Sequence, residues 1–208
     1  YNKLMQVLQI VNSKFGKLQR ISAYALPSDI LSKTDEELQN LSSAGLKLVY
    51  IGIESGDDEV LTIVNKGESF DTTAQSIIKA KAAGIETSAM ILNGLGGTEY
   101  WQQHAINSAK LINIAQPKYL STLTLSFPRG TANFIREFGG EYKQQTIVQL
   151  LQELKLFLEN INEGSIIFRS NHVSNNLALA GTLPKDKQNL IDQINQVIKI
   201  TPEDEMME

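Results

Sequence analysis

Polar and glycine-rich residues stand at the ends of four apolar, strand-like segments of this sequence. In parallel α/β folds, ligands bind beyond the carboxyl ends of the strands, whether the sheet is open or closed into a barrel. The four strand ends are therefore predicted to form one shared ligand site. Their residues are Tyr24 to Ser28, Glu54 to Gly56, Asn93 to Gly97 and Ser126 to Gly130.

Glu54 is the sharpest candidate, because it follows the apolar run LKLVYIGI, residues 46–53. A carboxylate at a strand end, with Ser55 and Gly56 beside it and the glycine allowing close approach, can accept hydrogen bonds from a hydroxyl pair or an ammonium group. The alternative is that Glu54 only favours the start of the helix predicted from Asp57, through the helix dipole. Spacing alone leaves both interpretations open.

Two further features lie near this site in the sequence. The glycines of NGLGGTE, residues 93–99, would let backbone groups wrap around a planar or charged ligand. The segment is not the dinucleotide fingerprint, since its third glycine is out of register, and a plain strand-to-helix turn is the alternative. Lys66 lies twelve residues after Glu54, at a predicted helix end where a cation also suits the dipole.

The segment FRSNHVSNN, residues 168–176, concentrates polar side chains within one extended stretch. Arg169, Asn171 and His172 are candidate substrate-binding residues, although asparagine-rich turns have a similar composition. The second histidine, His104, lies in the middle of a predicted helix, where a core or surface role is the more common one. No set of metal ligands stands at useful spacing.

The elements that must position these residues alternate between strands and helices. Thr34 and Glu37 form a capping-box pattern, and Gly45 ends the same helix. Strands separated by helices of this length pair in parallel through right-handed crossovers, which predicts an α/β fold, either doubly wound or barrel-like. The predicted strands are 21–27, 46–53, 85–92 and 118–127. From Tyr142 onward helical patterns dominate, with a short extended piece at SIIFRSN and a last helix started by Pro184.

Composition excludes several classes of function. The 208 residues, 42% hydrophobic and 20% charged, carry a net charge of -4, which gives no bulk attraction to nucleic acid or acidic membranes, although a local RNA-binding patch stays open. No apolar stretch approaches the roughly 20 residues of a membrane span, and a secretory signal is lacking, so a cytoplasmic location is predicted. There are no cysteines, which excludes disulfides, thiolate nucleophiles and iron–sulfur ligation by this chain alone.

Several motifs together resemble the radical S-adenosylmethionine (radical SAM) superfamily. The resemblance rests on ISAYALPSD, IGIESG…VL…NKG, AGIETSAMILNGLGGTE, TLTLSFPRGT and FRSNHVSNNLALAGTLPKDK, and it covers nearly the whole chain. It is similar to the branch of methylthiotransferase-like, elongator-like and anaerobic coproporphyrinogen oxidase-like proteins. The ending RSNH…GTLP resembles a bacterial subgroup described as Fe–S oxidoreductases.

The resemblance implies roles for the candidate residues. Glu54, with Ser55 and Gly56, would contact the ribose hydroxyls of S-adenosylmethionine. Lys66 would pair with the methionine carboxylate in place of the usual arginine, and would lack the bidentate fork of that residue. The segment at the end of the third strand would bind adenine through Ile91, Asn93, Gly94, Leu95 and Gly96.

The same resemblance implies a fragment. The CxxxCxxC loop that holds the family's 4Fe-4S cluster, and the motif that grips the methionine amino group, would both lie before Tyr1. The expected fold is then four of the six strands of a parallel partial TIM-type barrel in residues 1–140, followed by a C-terminal helical extension in 141–208. The parent enzyme would generate a 5′-deoxyadenosyl radical that abstracts hydrogen from an unknown substrate.

Two alternatives stay open at this point. One is a cluster-free, barrel-like module that binds a nucleotide, and the other is a cofactor-free aldolase-type barrel, which is disfavoured because no strand carries an evident catalytic lysine. In the fragment hypothesis the first strand, 21–27, forms an exposed sheet edge. Exposed edges recruit partners, so self-association through this strand is expected.

Overall fold

The computed structural model describes residues 1–16, 18–127, 130–139 and 141–206. The described residues form one sheet of six strands with helices packed on one side. The strands are β1 Ile21–Tyr24, β2 Leu46–Glu54, β3 Glu86–Asn93, β4 Tyr119–Thr124, β5 Ile166–Ser170 and β6 Leu179–Leu183. The helices are α1 Asn2–Lys14, α2 Pro27–Leu31, α3 Asp35–Ser43, α4 Asp58–Ile63, α5 Phe70–Ala82, α6 Gly97–Ala115, α7 Ala132–Glu137, α8 Ile147–Glu159 and α9 Lys187–Ile198.

The strands follow one another across the sheet in chain order, from β1 to β6. Strands β1 to β5 are parallel, and β6 is antiparallel to β5. A doubly wound sheet would need a reversal of strand order, whereas right-handed crossovers that always step in the same direction place the helices on one face. The predicted α/β fold of partial TIM-barrel type is therefore confirmed.

Local signals explain why the first elements form where they do. Helix α3 begins after Thr34, whose hydroxyl accepts a hydrogen bond from the Glu37 N–H while the Glu37 carboxylate accepts one from the Thr34 N–H, so the predicted capping box is confirmed. Gly45 follows with φ of 101°. The strand predicted at 21–27 ends at Tyr24, because Pro27 is already the first residue of α2.

The sheet contains two strands more than the four that the sequence patterns indicated. The extended piece at 165–171 is β5, and the short β6, LAGTL, was not predicted at all. Helix α9 begins at Lys187 rather than at Pro184, which follows the last residue of β6. The division into 1–140 and 141–208 stays a prediction; β5 and β6 continue the sheet of the first part, and residues 140, 207 and 208 lie outside the described residues.

The two faces of the sheet differ in burial. The face under the helices carries the core, including Ile51, Ala89, Leu120 and Phe168. On the opposite face, called the inner face here, many side chains are only partly buried. Strand pairing places them in rows across the sheet: Tyr24, Tyr50, Ser88, Tyr119 and Ile167 form one row, and Gly52, Met90, Ser121 and Arg169 form the next.

Candidate functional site

A cleft of about 440 Å³ lies on the inner face, near the carboxyl ends of β1 and β2. Its volume falls in the range of small-molecule sites, about 300–1,000 Å³. Tyr50 and Met90 supply its floor, and Glu54 and Lys66 supply opposite charges on one wall. The other lining residues come from the end of β1, from α2 and from β2: Tyr24, Ala25, Leu26, Asp29 and Gly52.

Glu54 and Lys66 form an ion pair on the wall of the cleft. Lys66 Nζ lies 3.1 Å from Glu54 Oε1, and the two side chains are 19% and 27% exposed. The sequence pointed to each residue separately, and the structure brings them together. A partly buried carboxylate and ammonium group at the mouth of a cleft can bind hydroxyl, ammonium and carboxylate groups of a ligand.

The backbone at Glu54 adopts a conformation that is rare for a residue with a side chain. Its φ is 63°, and the Ser55 N–H donates to the Ile53 carbonyl at 2.8 Å, which closes a three-residue turn around Glu54. Strand β2 also shifts its register against β3 between Gly52 and Glu54. Such local strain costs about 1–3 kcal/mol and is concentrated at functional sites. We take it as support for a functional Glu54.

A second left-handed turn places Lys66. Helix α4 is capped by Asp57, whose Oδ1 accepts from the Val60 N–H at 3.0 Å. The chain then reverses through Asn65 and Gly67, which have φ of 53° and 76°, and the Lys66 N–H donates to the Leu61 carbonyl at 2.9 Å. This turn directs the Lys66 side chain back to the end of β2.

Ser55 and Gly56 face away from the cleft. Ser55 is buried, and its Oγ lies 2.7 Å from Nδ1 of His104 on α6. The Gly56 N–H donates to Ser108 Oγ at 2.9 Å, and a Cβ at Gly56 would lie 2.5 Å from the Asn107 carbonyl oxygen. The close approach that Gly56 allows is therefore the approach of α6. The predicted cofactor contact of these two residues stays a prediction, and the observed contacts are structural.

A buried polar network lies behind these strand ends. Nε2 of His104 lies 3.5 Å from Oε1 of Glu153 on α8, and the same oxygen accepts from the Gly94 N–H at 2.7 Å. Burial raises the pKa of Glu153 to about 8, although the Gly94 N–H opposes this shift. Burial also lowers the pKa of His104 to about 4, against the opposing charge of Asp57. Both side chains are therefore uncharged near pH 7. Their contacts with Ser55 and Gly94 connect the end of β2 with the end of β3.

The glycine-rich turn after β3 is covered by the chain itself. Asn93 donates from Nδ2 to the Leu150 carbonyl at 3.1 Å, and the Tyr142 hydroxyl donates to the Gly94 carbonyl at 3.1 Å. A Cβ at Gly94 would lie 2.8 Å from a methyl carbon of Leu150. The predicted adenine-binding residues are all buried, and none of them lines the cleft: Ile91, Asn93, Gly94, Leu95 and Gly96.

The three predicted substrate residues lie at or beyond the end of β5. Arg169 stands on the inner face, in the row that contains Ser121. Asn171 and His172 are exposed in the loop between β5 and β6. Nδ1 of His172 lies 2.8 Å from Ser174 Oγ, so this histidine holds its own loop. The structure thus separates Arg169 from the other two.

Sequence reasoning selected Tyr24 at the end of the first strand but did not select Tyr50 and Met90, which complete the apolar and aromatic lining of the cleft. The period of two in β2 carried a usable signal, because Tyr50 and Gly52 share one face of the strand. In the described part of the chain, no group of three or more acidic or histidine side chains is arranged to hold a metal ion. Within the same residues, no helix is both long and apolar enough to cross a membrane.

Two solved structures have the same fold over most of this chain. Elp3 of the archaeon Methanocaldococcus infernus, with an N-terminal deletion, has a TM-score of 0.60 and 14% identity, and the match covers 87% of this chain and 42% of that one. Methylornithine synthase (PylB) has a TM-score of 0.51 and 17% identity, and the match covers 96% of this chain and 62% of that one. The chain therefore spans less than two thirds of the length of either protein.

The sequence comparisons add a family to this fold. A search of the curated proteins finds no match. The family model of the radical SAM superfamily matches residues 5–106, just under half of the chain. This region contains the Glu54–Lys66 pair, all the lining residues of the cleft and the turn after β3. Over residues 5–106 the chain therefore matches the radical SAM superfamily, and it shares the partial-barrel fold of the two solved structures.

Proposed function

We propose that the cleft on the inner face binds S-adenosylmethionine. The carboxylate of Glu54 accepts hydrogen bonds from the ribose hydroxyls, and the ammonium group of Lys66 pairs with the methionine carboxylate. The observation that carries this proposal is the 3.1 Å ion pair on the cleft wall, formed by the two residues to which the family resemblance assigns these roles.

The residues of the cleft fit this cofactor. The volume of about 440 Å³ suits a molecule of this size, and the strained turn at Glu54 holds the carboxylate at the rim. Tyr50 and Met90 offer apolar surface against which an adenosine can pack. We propose that the buried turn after β3 supports the cleft through its packing with α8 and does not contact adenine through its side chains.

An iron–sulfur cluster does not fit this chain, because its sequence contains no cysteine. When bound beside such a cluster, S-adenosylmethionine supplies a carbon radical that abstracts hydrogen from a substrate. The part that we propose for the present residues is narrower: they bind the cofactor, orient it and exclude water from one side. The radical reaction, the cytoplasmic location and the Fe–S oxidoreductase subgroup belong to this proposal for the complete enzyme.

The cleft can be tested by titrating S-adenosylmethionine into the purified chain by calorimetry. Glu54→Gln removes charge-assisted hydrogen bonds that contribute about 1.5–3 kcal/mol each, so the affinity should fall about tenfold or more. Glu163→Gln, at an exposed position in the loop before β5, is the matched control and should bind like the wild type. If Glu54 only favours the start of α4, its variant binds normally and loses about 0.3–1 kcal/mol of stability.

A second candidate function is a cluster-free module that binds a nucleotide, and the absence of cysteine favours it. In that case the same cleft would bind ATP or adenosine at least as tightly as S-adenosylmethionine. Lys66 would then pair with phosphate. Parallel titrations of ATP, adenosine and S-adenosylmethionine separate the two candidates, because only the superfamily function requires preference for the sulfonium compound.

A further inference from the structure

A second, smaller cleft continues the first along the inner face toward the amino ends of the strands. It has a volume of about 160 Å³ and shares Tyr50 with the cleft that contains Glu54. Arg20, which directly precedes β1, and Arg169, on β5, stand among its lining residues. The two clefts together form a trough along the open side of the sheet.

The charge of this smaller cleft is positive. Two guanidinium groups line it, and among the described residues no aspartate or glutamate does. Within the described part of the chain, neither Arg20 nor Arg169 forms a salt bridge. Arg169 donates from one terminal nitrogen to the Phe168 carbonyl at 2.8 Å, which leaves other N–H groups for a ligand. This local positive charge contrasts with the net charge of -4 of the whole chain.

The walls between the two arginines combine hydroxyl groups with apolar surface. Tyr50, Ser88 and Tyr119 lie side by side in one row of the sheet, and Ser121 lies beside Arg169 in the next row. A closed apolar cavity of about 150 Å³ holds a benzene ring. The smaller cleft therefore has room for one ring-sized group, with aromatic faces for packing and hydroxyl groups for hydrogen bonds.

We propose that this cleft binds an anionic, ring-sized group, a phosphate or carboxylate carried on a compact ring, through Arg20 and Arg169. Guanidinium groups bind both anions with paired N–H donors. The further assignment of this group to the substrate of the superfamily reaction rests on the proposed function; the anion site itself does not.

The register of the sheet fixes how the two clefts are spaced. Gly52, beneath the Glu54 carboxylate, and Arg169 stand in the same row, with Met90 and Ser121 between them. Three steps between neighbouring strands span roughly 14 Å, at about 4.8 Å each. A substrate held by its anionic end at Arg169 would thus extend toward a cofactor at Glu54, across Met90 and Ser121.

The test uses phenyl phosphate as the anionic probe and benzyl alcohol as the neutral ring of similar size, both titrated into the wild-type chain and followed by NMR. Phenyl phosphate should shift signals of Tyr50, Ser88 and Tyr119, and benzyl alcohol should bind at least tenfold more weakly. Arg20→Gln and Arg169→Gln should each weaken phenyl phosphate about tenfold. Arg136→Gln is the matched control, because Arg136 is exposed on α7, outside the trough, and pairs with Glu137.

The outcomes distinguish specific binding by Arg20 and Arg169 from non-specific electrostatic attraction of the anionic probe. Equal binding of the two probes, equal weakening in the Arg136 control, or no weakening in the two other variants overturns the proposal. Arg169→Lys keeps the positive charge but loses the paired N–H donors of the guanidinium group, so it should recover only part of the affinity for phenyl phosphate. Such partial recovery would show that the loss in Arg169→Gln is not due to misfolding. Glu54→Gln should leave phenyl phosphate binding unchanged, so failure of the cofactor cleft and failure of the anion site give different results.

Discussion

The carboxylate of Glu54 lies over Gly52, where a side chain would otherwise stand. A Cβ at Gly52 would lie 2.4 Å from Glu54 Oε1 and 3.6 Å from Lys66 Nζ. The ion pair on the cleft wall therefore depends on a glycine two residues earlier in β2. This relationship connects the local conformation of a strand end with the position of the charged groups that we assign to the cofactor.

Gly52→Ala should displace the Glu54 carboxylate and lower the affinity for S-adenosylmethionine by about tenfold. The displaced group is the end of a flexible side chain at a partly exposed position, so the free energy of unfolding should change by less than about 1 kcal/mol. Calorimetric titration and urea denaturation measure the two quantities. Normal affinity in this variant would show that the position of the carboxylate does not matter for binding.

Gly56→Ala should instead lower the free energy of unfolding and leave the affinity for S-adenosylmethionine nearly unchanged. Its Cβ would lie 2.6 Å from the Cα atom of Ser108 in α6, and a helix backbone cannot move aside as a side-chain end can. Overpacking of this kind costs about 1–3 kcal/mol, which urea denaturation would detect. Gly16→Ala is the control for both glycine variants, because none of the described residues beyond its chain neighbours has an atom within 4 Å of the added Cβ. A stable Gly56→Ala variant would contradict the contact with α6.

The buried Glu153 should make the chain less stable as the pH rises from about 6.5 to 8. Its pKa is raised to about 8 in the folded state, so the folded state retains a proton that the unfolded state has lost. The lowered pKa of His104 acts in the opposite direction, but only between about 4 and 6.5. The loss from 6.5 to 8 is on the order of 2 kcal/mol, at about 1.4 kcal/mol per pH unit.

Glu153→Gln is the variant that isolates this effect. It keeps an acceptor for the Gly94 N–H and removes the titrating group, so its stability should be nearly flat over the same pH interval. Urea denaturation at pH 6.5, 7.25 and 8 compares the slopes of variant and wild type. Parallel slopes would mean that Glu153 does not titrate in this window.

The first strand should support self-association. Strand β1 pairs only with β2 among the described residues and lies at the end of the sheet opposite to β6; its Tyr24 is 82% exposed. The N–H groups of Ile21 and Ala25 donate to the β2 side, so the N–H of Ser22 faces outward. Light scattering should detect oligomers of the wild type and of Ser22→Ala. Ser22→Pro removes the outward donor and should give a monomer; an unchanged size would refute strand pairing there.

Much of the fold follows from patterns that are local in the sequence. Helix capping and the period of apolar residues depend only on residues that are close in the sequence. For this reason the capping box at Thr34, the glycine at 45 and the four apolar runs predict their elements. Strand β6 escaped prediction because LAGTL is short, contains a glycine and an alanine, and owes its conformation to pairing with β5. That pairing is a tertiary contact, which no local pattern reveals.

The individual residues of the site were predictable from local patterns, but their contacts were not. Glu54 and Lys66 were selected individually, but their contact depends on left-handed turns at Glu54, Asn65 and Gly67. The glycine-rich turn after β3 has the composition of a ligand loop, yet it is covered by α8, which begins some fifty residues later in the chain. The glycines predict that this backbone has a close neighbour. Only the fold shows that the neighbour is α8 and not a ligand.

The central claim is that Glu54 and Lys66 hold different parts of one cofactor, and a comparison of two ligands tests it most directly. 5′-Methylthioadenosine has the ribose hydroxyls of S-adenosylmethionine but no carboxylate. Calorimetry should show that Glu54→Gln weakens both ligands by about tenfold, whereas Lys66→Met weakens S-adenosylmethionine by a similar factor and leaves 5′-methylthioadenosine nearly unchanged. If both variants bind both ligands as the wild type does, the ion pair is a structural contact and the cleft is not the cofactor site.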